Sequence, residues 1–252
     1  MATVITVTNQ KGGVGKTIIA YQLARALASR GNRVLAVDND PQGNFSENCL
    51  PSVGDEVTAH VMGLYQGQAP TPQPVAPGLD LIGSDIQLAP VADQNFEVIF
   101  KLREGLEHYR DSYDFIIVDS VPSFGQLHIA ALACPDFCLI PAKPSRHAFS
   151  GLADQFGSIE KAKKRLNPGL KIVGIILNLV DTKNVILERS FEEKLRQEYG
   201  SFVFTSMLYK RVAYEEATTL GEFIEDYDKK TAKSEFNVFF QEFVNRIQEG
   251  EV

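Results

Sequence analysis

The sequence predicts an α/β fold: a single doubly wound, mostly parallel β-sheet with helices on both faces. Two observations predict it. Short apolar runs rich in β-branched residues alternate with helical patterns along the 252 residues, which is typical of a parallel sheet joined by crossover helices. The apolar runs are continuous instead of alternating with polar residues, as expected for strands buried on both faces.

The elements follow in order along the chain. The predicted strands cover residues 4–8, 34–37, 79–82, 115–118, 137–140, 172–177 and 202–204. The predicted helices cover residues 17–29, 96–109, 125–133, 150–166, 185–199 and 235–248. The proline-rich stretch 66–77 predicts a surface connection and not a domain linker, because a strand follows it at once. We therefore expect one domain over residues 1–252, with no helix-turn-helix extension before the first strand.

The composition is that of an ordinary globular protein, with 44% hydrophobic and 23% charged residues. The net charge of -7 argues against a surface that is basic throughout, although a local basic patch is compatible with it. No stretch approaches the roughly 20 apolar residues of a membrane span, and no secretory signal opens the chain. The cysteines lack metal-like spacing and predict buried thiols in a reducing cytoplasm.

Residues 10–17, with the sequence QKGGVGKT, lie between predicted strand 4–8 and predicted helix 17–29. A glycine-rich turn in this context lets backbone N–H groups wrap a phosphate. Lys16 would place a charge near the β- and γ-phosphates of a nucleoside triphosphate, and the Thr17 hydroxyl would be a ligand for Mg²⁺. The residues expected to bind the nucleotide are Lys11, Gly12, Gly13, Val14, Gly15, Lys16, Thr17 and Ile18.

The strict P-loop pattern G-x-x-x-x-G-K-[ST] is not met, because Gln10 stands where its first glycine would be. In exchange, the loop has the adjacent Gly12 and Gly13 and a second lysine, Lys11, ahead of the usual one. The alternative is a glycine-rich turn that merely starts a helix. The strand before the loop and the helix after it argue against that alternative.

Two further site residues follow predicted strands, at the edge where open α/β sheets bind ligands. Asp119 comes directly after strand 115–118 and is the expected Mg²⁺-side carboxylate of a P-loop NTPase; the alternative is a helix N-cap. Asn178 ends strand 172–177. It is predicted either to meet the adenine base or to be a buried amide with satisfied hydrogen bonds.

Asp38 and Asp40 follow strand 34–37 and flank an asparagine. One of the two carboxylates could hold a water bound to Mg²⁺ while the other orients the attacking water. Their spacing does not distinguish the two assignments.

Together these motifs resemble the ParA family of partition ATPases, within a deviant-Walker class that includes the division regulator MinD and the nitrogenase iron protein. The resemblance covers nearly the whole chain. It rests on residues 9–17, on the DNDPQGN segment 38–44 and on residues 114–123, and it continues through residues 140–144, 166–170 and 216–221.

The resemblance implies ATP and Mg²⁺ as ligands and a homodimer that holds ATP between two facing subunits. Lys11 would reach the phosphates bound to the partner subunit, and Lys16 would contact phosphate in its own subunit. Asp40 would position the attacking water, and Asp119 would support Mg²⁺ together with Thr17. A lysine from each side would offset the repulsion between two triphosphates, so that dimerisation depends on ATP and ends on hydrolysis.

Three positions depart from the family pattern. Ile18 replaces a second threonine that often follows the P-loop, Ser120 begins a Ser-Val pair in place of the commoner Thr-Pro, and Ala213 stands where an arginine that contacts DNA is usual. The last departure weakens the expectation of DNA binding at this segment.

Clustered cations supply candidate contacts to DNA phosphates, which would be independent of sequence. The candidates are Lys210 with Arg211 and, further along, Lys230 with Lys233. The alternative for each cluster is a solvated helix end favoured by the helix dipole. The family resemblance, more than the charge count, favours non-specific DNA binding.

The leading hypothesis is a cytoplasmic, nucleoid-associated ATPase that positions DNA or another cargo, with a ParB-like or other adaptor that stimulates hydrolysis. A MinD-like membrane regulator is the alternative, but its membrane helix would need a basic polar face, and residues 248–252 are acidic. An enzyme of the iron-protein kind needs cysteines that share a cluster across a dimer, which Cys134 and Cys138 do not suggest.

Overall fold

One eight-stranded sheet organises the chain. The computed structural model describes residues 1–52, 54–123, 125–145, 148–183, 185–227 and 230–250, without the side chains of residues 185–187. The strands are β1 (Thr3–Val7), β2 (Val34–Asn39), β3 (Gln73–Ala76), β4 (Leu79–Ile82), β5 (Phe115–Ser120), β6 (Phe137–Ala142), β7 (Lys171–Val180) and β8 (Val203–Tyr209). Their order in the sheet is β3-β4-β2-β5-β1-β6-β7-β8.

The strand register brings the chemically useful ends together. All neighbouring pairs are parallel except β3 with β4. Asp119 on β5 is level with Val7 on one side and with Asp38 on the other. The loops that follow β1, β2 and β5 therefore start at the same edge of the sheet, which is where open α/β sheets bind their ligands.

Helices cover both faces of the sheet. They are α1 (Lys16–Ser29), α2 (Asn44–Cys49), α3 (Met62–Tyr65), α4 (Val98–Glu107), α5 (Gln126–Ala133), α6 (Ala148–Arg165), α7 (Val185–Tyr199), α8 (Val212–Thr219), α9 (Ile224–Tyr227) and α10 (Thr231–Glu249). Helices α1 and α8 to α10 share a core with one face of the sheet. Helices α4 and α5 pack on the other face, and α6 and α7 pack there further along the sheet.

Burial on both sides explains the continuous apolar runs. On β1, Val4 packs toward α4 and α5, whereas its neighbour Ile5 packs toward α1 and α10. Because successive side chains of a strand point to opposite faces, a strand with helices on each side needs apolar residues at every position. The predicted fold class is confirmed.

The last helix and the cysteines lie in the interior as predicted. On α10, Phe236, Phe239, Phe240 and Phe243 are buried, so its aromatic face forms core. Cys49, Cys134 and Cys138 are buried free thiols. Among the residues that the structure describes, no helix combines the length and apolar character needed to span a bilayer. Residues 251 and 252 of the acidic end lie outside the described residues.

The structure differs from the predicted elements at the edges. The stretch 66–77 is not only a connection, because its end forms β3, which pairs antiparallel with β4. Pro74 fits there because an edge strand tolerates the missing N–H. Strands β5, β7 and β8 run further than predicted, since polar residues such as Asp119 take part in the ladder. The short helices α2, α3, α8 and α9 were not predicted, because they are too short for a clear helical period.

Candidate functional site

The glycine-rich loop lies between β1 and α1 and faces open space. Gly13 and Gly15 have φ values of +70° and +84°, a left-handed conformation that favours glycine. A Cβ built on Gly12 or Gly13 would meet nothing within 4 Å, whereas one on Gly15 would collide with the Asn178 side chain. The loop therefore leaves room at its tip, where a phosphate would contact its amides, and is tightly packed at its base.

Two asparagines fix the backbone of this loop. Asn178 Nδ2 donates to Val14 O at 2.8 Å. Asn9 Nδ2 donates to Pro141 O at 2.8 Å, and Asn9 Oδ1 accepts from Lys11 N at 2.9 Å. Asn178 is buried and matches the alternative of a satisfied amide through this bond. Contact of Asn178 with adenine stays a prediction.

Gln10 anchors the start of the loop to α6. Its backbone N–H donates to Gln155 Oε1 at 3.0 Å, and its Nε2 donates to Ser158 Oγ at 2.7 Å. Gln155 Nε2 in turn donates to Thr8 Oγ1 at 3.3 Å. Sequence reasoning missed this contact. Nothing in the sequence indicates it, because the full burial of Gln155 on α6 is evident only from the structure.

Thr17 and Asp119 are brought together as predicted for a magnesium site. Thr17 Oγ1 donates to Asp119 Oδ2 at 2.7 Å. Asp119 is 1% exposed, and its Oδ1 is buried without a hydrogen-bond partner among the described residues. A buried carboxylate oxygen without a partner is costly. The Thr17 hydroxyl and the Asp119 carboxylate, with its unpaired Oδ1, are oxygen ligands that fit a Mg²⁺ ion or its bound water. The N-cap alternative for Asp119 is wrong, because Gly125 caps the helix that follows.

Burial shifts the pKa values of Lys16 and Asp119 at this edge of the sheet. Lys16, at the start of α1, is 6% exposed. Burial lowers the pKa of Lys16, while the charges of Asp119 and Asp40 oppose that shift. Burial, and after it the charge of Asp38, raises the pKa of Asp119. Lys16 and Asp119 both lose hydration in this buried site, and a bound ligand of opposite charge would offset that loss for each of them. A triphosphate would do so for the lysine, and its divalent cation would do so for the carboxylate.

Asp38 and Asp40 have different surroundings. Asp38 Oδ2 accepts from Ser46 N at 2.9 Å and from Ser46 Oγ at 2.7 Å, and its Oδ1 accepts from Asp40 N at 3.1 Å. Burial raises the pKa of Asp38 to about 6. Asp40 is 7% exposed, and its Oδ1 accepts from Gln42 N at 3.0 Å. Both oxygens of Asp38 are thus engaged inside the protein, while Asp40 keeps more capacity to accept a hydrogen bond from a water.

The second lysine of the loop is partly exposed and contacts its own chain. Lys11 Nζ donates to Ser145 Oγ at 2.6 Å. Ser145 lies in the segment between β6 and α6, next to residues 146 and 147, which lie outside the described residues. Ile18, on α1, is partly buried against the core and lines a small cavity with Asn178.

The candidate DNA contacts are only partly available. Lys210 is exposed. The Arg211 guanidinium binds Glu235 at 2.7 Å and lies 5.6 Å from the ring centre of Tyr209. Lys233 Nζ donates to the backbone oxygen of residue 225 at 3.0 Å. Lys230 lines a surface groove of α10 beside Lys233. Their contact with DNA stays a prediction.

The chain is similar in sequence to proteins that are already known. A family model described as an AAA domain matches residues 2–172. The chromosome partitioning protein ParA of Caulobacter vibrioides is 34% identical over 244 residues, covering 92% of this chain and 90% of that protein. This chain belongs to the ParA family. The sporulation initiation inhibitor protein Soj of Bacillus subtilis is 31% identical, covering 93% of this chain and 95% of Soj.

Solved structures share the fold of this ParA-family chain. Apo McdA of Cyanothece has a TM-score of 0.85 at 21% identity and covers 98% of this chain and 100% of its own. A Borrelia burgdorferi protein, described as a plasmid partition protein bound to AMPPNP, has a TM-score of 0.80 at 23% identity, with 99% of each chain covered. A cobyrinic acid a,c-diamide synthase of Mycobacterium smegmatis with ADP and magnesium has a TM-score of 0.76 at 26% identity, covering 86% and 93%.

Proposed function

We propose that this ParA-family chain is a Mg²⁺-dependent ATPase that dimerises with ATP and positions DNA or another cellular cargo. One observation carries the proposal: the unpaired, buried Asp119 Oδ1 lies beside the bond from Thr17 Oγ1 to Asp119 Oδ2, at the open glycine loop. That arrangement supports a site for a triphosphate and a divalent cation, and the partitioning relatives support the role.

Different residues of the chain bind the phosphates, bind Mg²⁺ and position the attacking water in this proposal. The loop amides and Lys16 bind the phosphates, and Thr17 and Asp119 hold Mg²⁺. When bound, Mg²⁺ would neutralise charge on the phosphate oxygens. Asp40, which makes one side-chain hydrogen bond within the described chain, accepts a hydrogen bond from the attacking water and orients it. Asn178 supports the loop at Val14 and would contact the adenine base.

Dimerisation with ATP rests on Lys11. Two triphosphates that face each other across an interface repel strongly, because the effective dielectric there is well below that of bulk water. Lys11 is partly exposed, and among the described residues its Nζ contacts only the Ser145 hydroxyl, so it can leave that contact without uncovering a buried carboxylate. In the dimer it would neutralise phosphate bound to the partner subunit.

Non-specific binding to nucleoid DNA is the proposed link to cargo. The net charge of -7 means that the chain as a whole repels DNA, so binding needs a local basic patch. Lys210 is exposed at the end of β8, and Arg211 follows it, with Lys230 and Lys233 as further candidates. A dimer doubles the phosphate contacts, and the dependence of affinity on salt grows with their number. DNA binding should therefore require ATP.

The location and partners follow from the same proposal. The protein acts in the cytoplasm on the nucleoid, and a ParB-like or other cargo adaptor stimulates hydrolysis. The MinD-like alternative requires an apolar helix face that can enter a membrane. On α10 the aromatic residues Phe236, Phe239, Phe240 and Phe243 are instead buried, which disfavours membrane binding.

A DNA-binding assay with ATP, ADP and no nucleotide tests this function. At low salt, DNA of arbitrary sequence should bind only with ATP. The variant Lys210→Glu/Arg211→Glu should bind about 1,000-fold more weakly on all sequences, because the dimer would lose four phosphate contacts at roughly 1 kcal/mol each. Lys101→Glu/Lys194→Glu, with the same charge change, is the control. Equal binding with ADP and ATP, or no binding at low salt, would remove nucleoid DNA from the proposal.

A further inference from the structure

A buried histidine contacts the first residue of the glycine-rich loop. His128, on α5, is 1% exposed, and its Nε2 lies 3.3 Å from Gln10 Nε2. Gln10 Nε2 also donates to Ser158 Oγ on α6 at 2.7 Å. Gln10 directly precedes Lys11 and the other amides of the loop. Side chains from α5 and α6 therefore hold the point at which the loop begins.

The His128 ring and the Gln10 amide are complementary when the ring is neutral. A neutral imidazole with its proton on Nδ1 accepts at Nε2 from the amide nitrogen, and the other tautomer donates from Nε2 to the oxygen of a reversed amide. Burial, and after it the charge of Lys16, lowers the pKa of His128 to about 4. The ring is therefore neutral at pH 7, and the contact is a hydrogen bond in either arrangement.

The start of α5 is joined to the segments that carry the site. Helix α5 follows the segment that begins at Asp119, and the charge of Lys16 acts on the His128 ring. Asn39, at the end of β2, donates from Nδ2 to Leu127 O at 2.9 Å. Two neighbouring residues of α5 thus contact the end of β2 and the start of the glycine-rich loop, and His128 reaches the loop through its side chain.

Stability alone does not account for this polar pair. Gln10 Oε1 and His128 Nδ1 are buried without a hydrogen-bond partner of good geometry among the described residues, although the Val121 backbone acts on the ring. A buried polar pair that is only partly satisfied is less favourable for folding than an apolar pair of the same shape. The pair therefore calls for a role other than core packing.

We propose that His128 is a positioning residue of the nucleotide site, which holds the Gln10 side chain and so fixes the glycine-rich loop for a triphosphate. This role rests on the proposed function, an ATPase with its triphosphate at this loop. Loop amides that are already arranged bind phosphate more tightly, because less conformational entropy is lost on binding. His128 acts through Gln10 and takes no part in the hydrolysis step itself.

Calorimetric titration with ATP tests the role of His128. His128→Leu removes the contact to Gln10 and should weaken ATP binding about tenfold, or about 1.4 kcal/mol. His128→Gln keeps a side-chain amide that can pair with Gln10, and its affinity should recover to within about threefold of the wild type. Recovery by the polar replacement distinguishes a contact to Gln10 from simple filling of the core.

Ser158→Ala approaches the same contact from α6. It removes the other partner of Gln10 Nε2 and should weaken ATP binding about threefold. In the double variant His128→Leu/Ser158→Ala, the loss of affinity should be smaller than the product of the two single losses, because both changes act through Gln10.

Asn167→Ala is the matched control at the opposite end of α5. Asn167 is 7% exposed, and its Nδ2 donates at 2.6 Å to the backbone oxygen of Pro135, just beyond the helix. Loss of this buried bond should lower the melting temperature and leave ATP affinity unchanged. His128→Leu should do the reverse, with a retained melting temperature and weaker ATP binding.

Two results would overturn the positioning role of His128 while leaving the proposed function in place. One is equal ATP affinity of the wild type, His128→Leu and Ser158→Ala. The other is a loss of affinity in His128→Leu that accompanies a lower melting temperature and is not recovered in His128→Gln. A wild type that does not bind ATP would instead overturn the proposed function, and the role of His128 with it.

Discussion

Lys11 and Ser145 are joined within one chain by a hydrogen bond of 2.6 Å from Nζ to Oγ. Lys11 is thus held within its own subunit. In the proposed ATP-bound dimer Lys11 would have to leave this bond, and a hydrogen bond to a charged group contributes about 1.5–3 kcal/mol at most when it is well protected from water.

Ser145→Ala should strengthen the ATP-bound dimer, because Lys11 no longer has a competing partner. We expect the dimer dissociation constant to fall about fivefold, as partial exposure of the pair reduces the contribution of the bond to roughly 1 kcal/mol. Sedimentation over a range of protein concentrations measures it. Ser145→Thr keeps the hydroxyl and should behave as the wild type; a weaker dimer in Ser145→Ala would mean that Ser145 serves the assembled state.

Lys16→Ala should lose ATP affinity by about 100-fold, because a charged contact to the phosphates is worth roughly 3 kcal/mol in a buried site. Lys16 is the lysine proposed to bind the phosphates within its own subunit, and it is 6% exposed. Calorimetry measures the affinity, with Lys194→Ala as a control on an exposed part of α7. Equal affinity of Lys16→Ala and the wild type would contradict the P-loop assignment.

Asp40→Ala should bind ATP and turn it over at least about 100-fold more slowly, as expected for loss of a group that orients the attacking water. The ATP-bound dimer should then accumulate. A phosphate-release assay together with light scattering reports both effects. Asp40→Asn keeps the hydrogen bond to Gln42 N and serves as the conservative comparison. Unchanged turnover in Asp40→Ala would exclude Asp40 from hydrolysis.

Asp38 should make stability fall as pH rises from about 4 to about 6. Burial raises its folded pKa to about 6 from an ordinary value of 3.8. In this window the folded chain binds more protons than the unfolded chain, so the free energy of unfolding decreases with pH. Asp38→Asn lacks this titration. From pH 4 to pH 7 the variant should gain about 2 kcal/mol relative to the wild type in urea unfolding; a constant difference would contradict the raised pKa.

The sequence predicted what depends on local pattern. Continuous apolar runs predicted the buried parallel strands. Polar residues after those runs predicted the edge of the sheet where the site lies, and Thr17 contacts Asp119 there. Relations between distant segments were not predictable. Ser46, which binds Asp38, lies on an unpredicted short helix, and Gln155 reaches Gln10 from α6. Nothing in a single sequence indicates such pairings, because they depend on how helices pack on the sheet.

The sequence also left the choice between Asp38 and Asp40 open. Both follow the same strand, and only the contacts separate them. Asp38 has both oxygens engaged inside the protein, whereas Asp40 holds one backbone N–H. These contacts favour Asp40 as the residue that orients the attacking water, and the assignment stays a prediction.

Light scattering of Lys11→Ala with ATP tests the central claim, that dimerisation depends on a lysine acting across the interface. The wild type should form a dimer with ATP and remain a monomer with ADP. The variant keeps Lys16 and the loop amides, so it should bind ATP yet remain a monomer, with little hydrolysis; Lys11→Arg keeps the charge and should restore part of the dimer. A stable ATP-bound dimer of Lys11→Ala would contradict the claim and show that Lys11 acts only within its own subunit.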